Sequence, residues 1–206
     1  MASTSDLQGD DGAAPVRLHL ALVHHPCVDR QGREYTTALT NVDLHDIARS
    51  GRTYGAETLF VVTPITLQQR MVGEVVRHWT EGEGAHRNDR RASAMCRVEA
   101  AGSLEDAIAA IAARDGARPL VAVTSAQMPH PDLDWPGMRD RLAQPGPPLL
   151  LVFGTGWGLA PRVLENADLR LPALYADRAL AGGDGYNHLS VRAAAAIALD
   201  RLRGAR

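Results

Sequence analysis

The stretch Leu149–Leu159, LLLVFGTGWGL, decides the fold class of this chain. Five apolar residues run directly into glycines at alternate positions, Gly154, Gly156 and Gly158. A short strand that is apolar on both faces is typical of a parallel sheet covered by helices. Glycines just past the carboxyl end of such a strand let the backbone approach a flat or charged ligand. The stretch therefore predicts a parallel α/β sheet with a ligand site at its edge.

On both sides of this stretch, apolar runs alternate with amphipathic segments, as in an α/β domain. We expect one domain over 16–206 after a disordered tail at 1–15, because no repeat or linker interrupts the pattern. Residues 81–91 are expected to form a polar loop, and Asp43 to cap the first helix. The predicted strands are 18–24, 58–63, 94–98, 119–124, 148–153 and 168–171, and the predicted helices are 41–54, 67–79, 103–114 and 188–202.

The composition excludes several classes of protein. Of the 206 residues, 45% are hydrophobic and 22% are charged, which is ordinary for a globular protein. The net charge of −2 gives no general attraction to a polyanion, so any such site must be local. All 22 basic residues are arginine, which binds phosphate with two hydrogen bonds and stacks on bases. The longest apolar run, 147–153, is too short to span a membrane, and the acidic N-terminus does not read as a signal peptide.

The cysteines and histidines do not form a recognisable metal pattern. Cys27 and Cys96 are far apart, so they predict buried thiols in a reducing cytoplasm and no zinc site or disulfide scaffold. His24 and His25 follow the first strand, but no carboxylate or thiolate arrangement completes a metal site around them. We therefore expect a cytoplasmic protein without a metal, in which this pair serves a substrate pocket or loop packing.

A second candidate site lies at 182–196, GGDGYNHLSVRAAAA. Asn187, His188 and Ser190 stand where the last helix is expected to begin, and free N–H groups there offer hydrogen bonds to an adenine edge or a carboxylate. A capped surface helix is the alternative. The first segment, in turn, lacks the third glycine of a G-x-G-x-x-G loop and comes late in the chain, which argues against an NAD site. A glycine-rich turn without a ligand also remains open there.

Together the two segments resemble the C-terminal signature of the SPOUT (α/β-knot) methyltransferases, an F-G-x-x-x-G-L loop followed by an N-x-S-like helix entry. FGTGWGL at 153–159 matches the first part, and YNHLSVRAAAAIALDRL at 186–202 is similar to the second. The resemblance extends over 18–202, and it includes a bacterial SPOUT family related to the tRNA guanine-N1 methyltransferases. It implies an S-adenosylmethionine-dependent methyltransferase acting on tRNA or rRNA, with a C-terminal trefoil knot and a homodimeric assembly.

This resemblance, together with the polar and glycine-rich loops after the late strands, predicts the segments that bind S-adenosylmethionine. Those segments comprise Thr124, Ser125, Ala126 and Gln127; Phe153, Gly154, Thr155, Gly156, Trp157, Gly158 and Leu159; and Leu171 and Pro172 with Asn187, His188, Leu189 and Ser190.

The stretch 43–55 resembles the first motif of the ribose-methylating SPOUT enzymes, in which an arginine lies six residues after an asparagine and six before a glycine. Arg49 and Gly55 match this pattern, whereas Asp43 replaces the asparagine. The resemblance makes Arg49 the predicted residue for catalysis or RNA placement, with Asp43 or Asp46 as the proton acceptor. A helix cap or an ion pair with Arg49 is the alternative for either carboxylate. The departures leave the acceptor open between a ribose hydroxyl, guanine N1 and another atom.

RNA binding has one local candidate in the sequence. Arg87, Arg90 and Arg91 lie near Trp79 and His86, and such a group is suited to phosphates and a stacked base; a solvated loop is the alternative. Methyl transfer from a sulfonium requires no nucleophile from the protein, so no catalytic triad is expected. Two further functions remain as alternatives, a non-catalytic RNA- or nucleotide-binding module of the same fold and an NAD-dependent oxidoreductase.

Overall fold

One parallel sheet of six strands organises the chain, of which a computed structural model describes residues 15–177 and 186–206. The strands in chain order are β1 (Leu18–Val23), β2 (Cys27–Val28), β3 (Glu34–Tyr35), β4 (Thr58–Val62), β5 (Val98–Ala101), β6 (Leu120–Thr124), β7 (Leu149–Gly154) and β8 (Leu169–Leu171). In space the order of the sheet is β5–β4–β1–β7–β6–β8, with every pair parallel. Strands β2 and β3 form a separate antiparallel hairpin.

Helices cover both faces of this sheet. They are α1 (Asn41–Thr53), α2 (Thr66–Thr80), α3 (Glu83–Arg87), α4 (Asp89–Met95), α5 (Leu104–Asp115), α6 (Trp135–Ala143), α7 (Pro161–Glu165) and α8 (Val191–Arg203). Leu20 and Leu22 of β1 pack in the core shared with α1, α2, α4, α6 and α8, whereas Ala21 and Val23 pack in the core shared with α5 and α7. Because side chains alternate along a strand, β1 is buried on both faces. The predicted helix-flanked parallel sheet is confirmed.

Two predicted elements between residues 81 and 98 are wrong. The expected loop at 81–91 contains α3 and the start of α4. The expected strand at 94–98 begins only at Val98, because α4 continues through Met95. Asn88 caps α4 by accepting a hydrogen bond at 2.9 Å from the N–H group three residues later. A helix of seven residues is too short to show an apolar period in the sequence.

Helix α6 is missing from the prediction. Its cap is Asp134, whose carboxylate accepts a hydrogen bond at 2.7 Å from the N–H group of Gly137. Trp135 and Met138 bury one side of this helix against the core. Pro136 and Gly137 near its start are also typical of a turn, which hides the helical pattern in the sequence.

The caps of the first and last helices also differ from the prediction. Asp43 is not the cap of α1; Thr40 is, and its hydroxyl accepts the Asp43 N–H at 3.2 Å and donates to the Asp43 carboxylate at 2.6 Å. Asp43 thus occupies the first turn, where a carboxylate is favourable to the helix dipole. The last helix begins at Val191 with Ser190 as its cap, so residues 188 and 189 precede the helix instead of opening it.

The two cysteines differ in exposure. Cys27 is buried as expected, but Cys96 is exposed, because it follows the end of α4 at the surface. Within 15–177 and 186–206, no three side chains are grouped so as to hold a metal, and no helix is long and apolar enough to cross a bilayer. The predicted tail lies almost wholly in residues 1–14, outside the described residues, as do the glycines of the second segment at 182–185.

Candidate active site

The centre of the sheet contains a topological switch point. From β1 the chain moves outward through β4 and β5, and it later places β7 on the other side of β1, with β6 and β8 beyond it. In open parallel sheets, ligands bind outside the carboxyl ends of the strands at such a point. A cleft of about 570 Å³ lies there, beside His24 after β1, Thr124 at the end of β6 and Thr155 after β7.

The structure brings most of the predicted cofactor-binding residues to this one cleft. Residues 124–127, 153–159 and 187–190 all line it. Leu171 and Pro172 do not, because Leu171 is fully buried in the core and the carbonyl of Pro172 accepts a hydrogen bond at 3.2 Å from the Thr124 hydroxyl. Leu174, three residues beyond β8, lines the cleft in their place.

The glycine loop is braced by the β2 strand. The N–H group of Val28 donates to the carbonyl of Gly158 at 3.0 Å, and the Trp157 N–H donates to the carbonyl of Val28 at 3.2 Å. Gly156 has a φ of +62° and Gly158 a φ of +116°, which a side chain would strain. The conformation of the loop is therefore fixed by the chain itself.

The three glycines are required for different reasons. A Cβ on Gly154 would lie 2.8 Å from the N atom of Leu159, and a Cβ on Gly156 would overlap the Tyr35 hydroxyl. Both positions thus serve the packing of the loop. A Cβ on Gly158 would meet nothing within 4 Å, although Gly158 lines the cleft. Open backbone at Gly158, in a cleft of the volume usual for small-molecule sites, fits a cofactor of the size of S-adenosylmethionine.

A chain of hydroxyl groups fixes the orientation of His24. The Thr155 hydroxyl contacts the carbonyl of Val23 at 2.9 Å, and because a carbonyl only accepts, Thr155 must donate there. Thr155 then accepts the proton of the Thr37 hydroxyl, and Thr37 in turn accepts from Nδ1 of His24 at 2.7 Å. The proton of the neutral imidazole therefore lies on Nδ1, and Nε2 carries a free lone pair.

This lone pair is buried and without a partner in the part of the chain that the structure describes. His24 is only 1% exposed, and burial lowers its pKa from 6.5 to about 4, although Asp43 acts in the opposite direction. The imidazole is therefore neutral at physiological pH. A buried acceptor without a donor costs about 1–3 kcal/mol, a cost that a ligand N–H or O–H in the cleft would relieve.

The predicted catalytic residues are divided between two places. Asp43 lines the cleft, where its carboxylate accepts hydrogen bonds from the Thr40 hydroxyl and, at 3.0 Å, from Arg192 of α8. Asp46 does not line the cleft; it lies 3.6 Å from Arg192 and 3.9 Å from Arg49. Arg49 faces a separate cavity beside α4. Within one chain, only Asp43 of the three is in position to act on a ligand in the cleft.

Sequence reasoning did not assign Thr37 or Arg192 to the site, and it left His24 between a substrate pocket and loop packing. His24 had a usable signal, because it directly follows a buried parallel strand and must therefore lie at the same edge as the glycine loop. Arg192 had none, because its contact with Asp43 joins residues 149 positions apart.

Comparison with known proteins agrees with this geometry. A family profile described as SAM-dependent RNA methyltransferase matches residues 17–204. A tRNA (guanine-N(1)-)-methyltransferase of Nitratidesulfovibrio vulgaris is 46% identical over 91% of this chain but only 42% of its own length. Its counterpart in Oleidesulfovibrio alaskensis is 42% identical over 96% of this chain and 45% of its own length. The chain thus spans less than half the length of these curated relatives. A protein of Aquifex aeolicus without an assigned function is 34% identical, with 86% of its length covered.

Solved structures support the fold. A probable methyltransferase from Bordetella pertussis Tohama I superposes with a TM-score of 0.56 at 18% identity, covering 91% of this chain and 93% of that one. A SpoU methyltransferase from Streptomyces viridochromogenes in complex with AdoMet gives 0.52 at 16% identity, over 92% of this chain and 58% of that one. At such identities the likeness shows the fold alone. The family match is what confirms the resemblance and the expected cofactor: this chain belongs to the SAM-dependent RNA methyltransferases of the SPOUT type.

Proposed function

We propose that this chain transfers the methyl group of S-adenosylmethionine to a nucleotide of tRNA or rRNA, with the cofactor bound in the cleft at the carboxyl ends of β1, β6 and β7. The observation that carries the proposal is the convergence of three separate loops, 124–127, 153–159 and 187–190, at the switch point of the sheet. Leu171 and Pro172 support these loops from behind, since Pro172 holds the Thr124 hydroxyl.

The protein has two tasks in this reaction. When bound, the cofactor supplies a methyl group activated on a sulfonium, so the chain must orient the acceptor and assist the loss of its proton. We assign the second task to Asp43 in preference to Asp46, because Asp43 lines the cleft and its carboxylate is held by Thr40 and Arg192. His24 Nε2 accepts a hydrogen bond from an N–H or O–H group of the bound ligands.

Three wider features belong to the same proposal. The C-terminal trefoil knot is supported by the path of the chain from β8, at the edge of the sheet, to α8, which packs against α1 and α6 on one face. The homodimer is supported by exposed apolar residues on α1 and α8. A cytoplasmic location is supported by the free thiols of both cysteines, one of them exposed.

The test is transfer of a labelled methyl group to RNA. Purified protein is incubated with isotopically labelled S-adenosylmethionine and with RNA from a strain that lacks the gene, and the nucleosides are separated by mass spectrometry. We expect one labelled nucleoside, whose mass fragments distinguish a base from a ribose acceptor. Calorimetry with S-adenosylhomocysteine and with NAD is run in parallel. Cofactor binding without transfer to any RNA would favour a non-catalytic binding module instead.

A further inference from the structure

A second cavity lies between α1 and α4, apart from the glycine cleft. It measures about 690 Å³, and its walls include Arg49 and Arg52 of α1 and Arg90 and Arg91 of α4. We call these four residues with the space between them the arginine groove. Asp89 is the one acidic residue in the wall, so the groove has a surplus of three positive charges, whereas the chain carries −2.

This surplus is not neutralised within the described residues. Arg49 is 3.9 Å from the carboxylate of Asp46, at the outer limit of an ion pair. Arg52 donates through Nε to the Ser93 hydroxyl at 3.0 Å, and Arg90 and Arg91 form no ion pair with a described carboxylate. Elsewhere on the surface, arginines do have acidic partners, at 3.0 Å for Arg77 with Glu74, Arg170 with Asp132, and Arg206 with Asp200.

Two of the groove arginines are held in place before any ligand arrives. The guanidinium carbon of Arg91 lies 4.7 Å from the centre of a Trp79 ring, and Trp79 packs against the core. The hydroxyl of Ser93 holds Arg52 from the α4 side. A guanidinium that is already ordered loses less conformational freedom when it binds an anion.

We propose that the arginine groove binds the sugar–phosphate backbone of the RNA substrate. The guanidinium fork matches phosphate oxygens with paired hydrogen bonds. Four such groups spread over two helices around 690 Å³ suit a polyanion better than a single phosphate. Arg52 follows Asp43 by nine residues on α1, a rise of about 14 Å, so the groove would hold phosphates that flank a nucleotide placed in the cleft. The inference rests on the proposed function.

The groove also revises the RNA contact expected from sequence. Arg87 does not line it; that side chain lies 3.8 Å from Glu83 on the short helix α3. Arg49 and Arg52 take its place, and Trp79 acts as a support for Arg91. Arg49 therefore serves RNA placement in this proposal, with its guanidinium outside the cleft of its own chain.

The experiment uses the full chain and fluorescently labelled mixed tRNA and rRNA fragments, titrated between about 50 and 200 mM salt. Arg49→Ala and Arg90→Ala remove one charge from each wall, and Arg77→Ala is the matched control outside the groove. We expect each groove variant to weaken RNA binding at least fivefold and the double variant to flatten the salt dependence by about 0.7–0.9 per lost contact. Affinity for S-adenosylhomocysteine and the melting temperature should stay unchanged, because both side chains are exposed.

Each outcome separates the groove from the enzyme. RNA affinity and salt slope that stay at wild-type values in the double variant, while methyl transfer by the wild type proceeds, would overturn the groove alone. Loss of turnover in Arg49→Ala at unchanged RNA affinity would also overturn it and would return Arg49 to catalysis. If the wild type binds cofactor but neither RNA, both the groove and the proposed function fail.

Discussion

His24 illustrates how one side chain can be tested atom by atom. Its Nδ1 donates to Thr37, and its Nε2 is left to a ligand. His24→Asn retains a donor near Nδ1 but loses the acceptor toward the cleft, whereas His24→Gln reaches the position of Nε2. We expect His24→Asn to lower affinity for S-adenosylhomocysteine or single-turnover methyl transfer about tenfold, and His24→Gln to retain most of both. Calorimetry reports the cofactor and single turnover the acceptor; equal behaviour of the two variants would contradict the assignment.

The same residue predicts a pH dependence of stability. In the unfolded chain the imidazole titrates near 6.5, and in the folded chain near 4, so below pH 6.5 the unfolded state binds a proton that the folded state does not. Stability from this group is therefore complete above pH 6.5 and is lost as the pH falls toward 4. We expect the wild type to lose about 2 kcal/mol more than His24→Asn between pH 7 and pH 5, measured by urea unfolding. Parallel curves for the two proteins would disprove the cause.

At the scale of elements, the glycine loop separates backbone strain from ligand space. Gly158 and Gly116 both have positive φ, and a Cβ on either would meet no atom within 4 Å, but only Gly158 lines the cleft. Leucine at either position should lower the melting temperature by a similar amount. We expect Gly158→Leu alone to weaken S-adenosylhomocysteine binding at least tenfold in calorimetry. Equal affinities in the two variants would move the cofactor away from this loop. Gly156 is unsuitable for this test, because its Cβ would overlap Tyr35.

The long buried strands were predictable because their apolar runs carry the pattern locally. Leu149–Gly154 and Leu18–Val23 are buried on both faces, and each run ends within a residue of its predicted limit. The short helices α3 and α4 were not predictable, since a cap at Asn88 organises them and not an apolar period. Within the site, the loops could be identified from glycine spacing. The contact between Asp43 and Arg192 could not, because it depends on how α1 packs against α8.

At the scale of the whole molecule, the order of strands places two sites on one helix. Helix α1 begins beside the cleft with Asp43, and its later residues Arg49 and Arg52 line the arginine groove. The end of the helix near the cleft is fixed by Arg192 of α8, and the opposite side by Ser93 of α4. Cofactor and RNA backbone are thereby held by one rigid element. A nucleotide in the cleft and phosphates in the groove would then keep a fixed separation, which is what orienting an acceptor requires.

The assembly of the molecule gives the last prediction, a homodimer through α1 and α8. Val42 of α1 is 55% exposed, Ile197 of α8 is 37% exposed, and Leu189 just before α8 is 43% exposed. These apolar residues lie on two neighbouring helices that border the cleft, so a second copy packed there would cover them. Light scattering at micromolar concentration should give twice the chain mass of 22.1 kDa. Ile197→Glu should give the single-chain mass, because a carboxylate would be buried without a partner. Leu67 of α2 is 72% exposed and lies away from α8, so Leu67→Glu should remain dimeric. A wild type of single-chain mass would refute the dimer, and a dimeric Ile197→Glu would place its interface elsewhere.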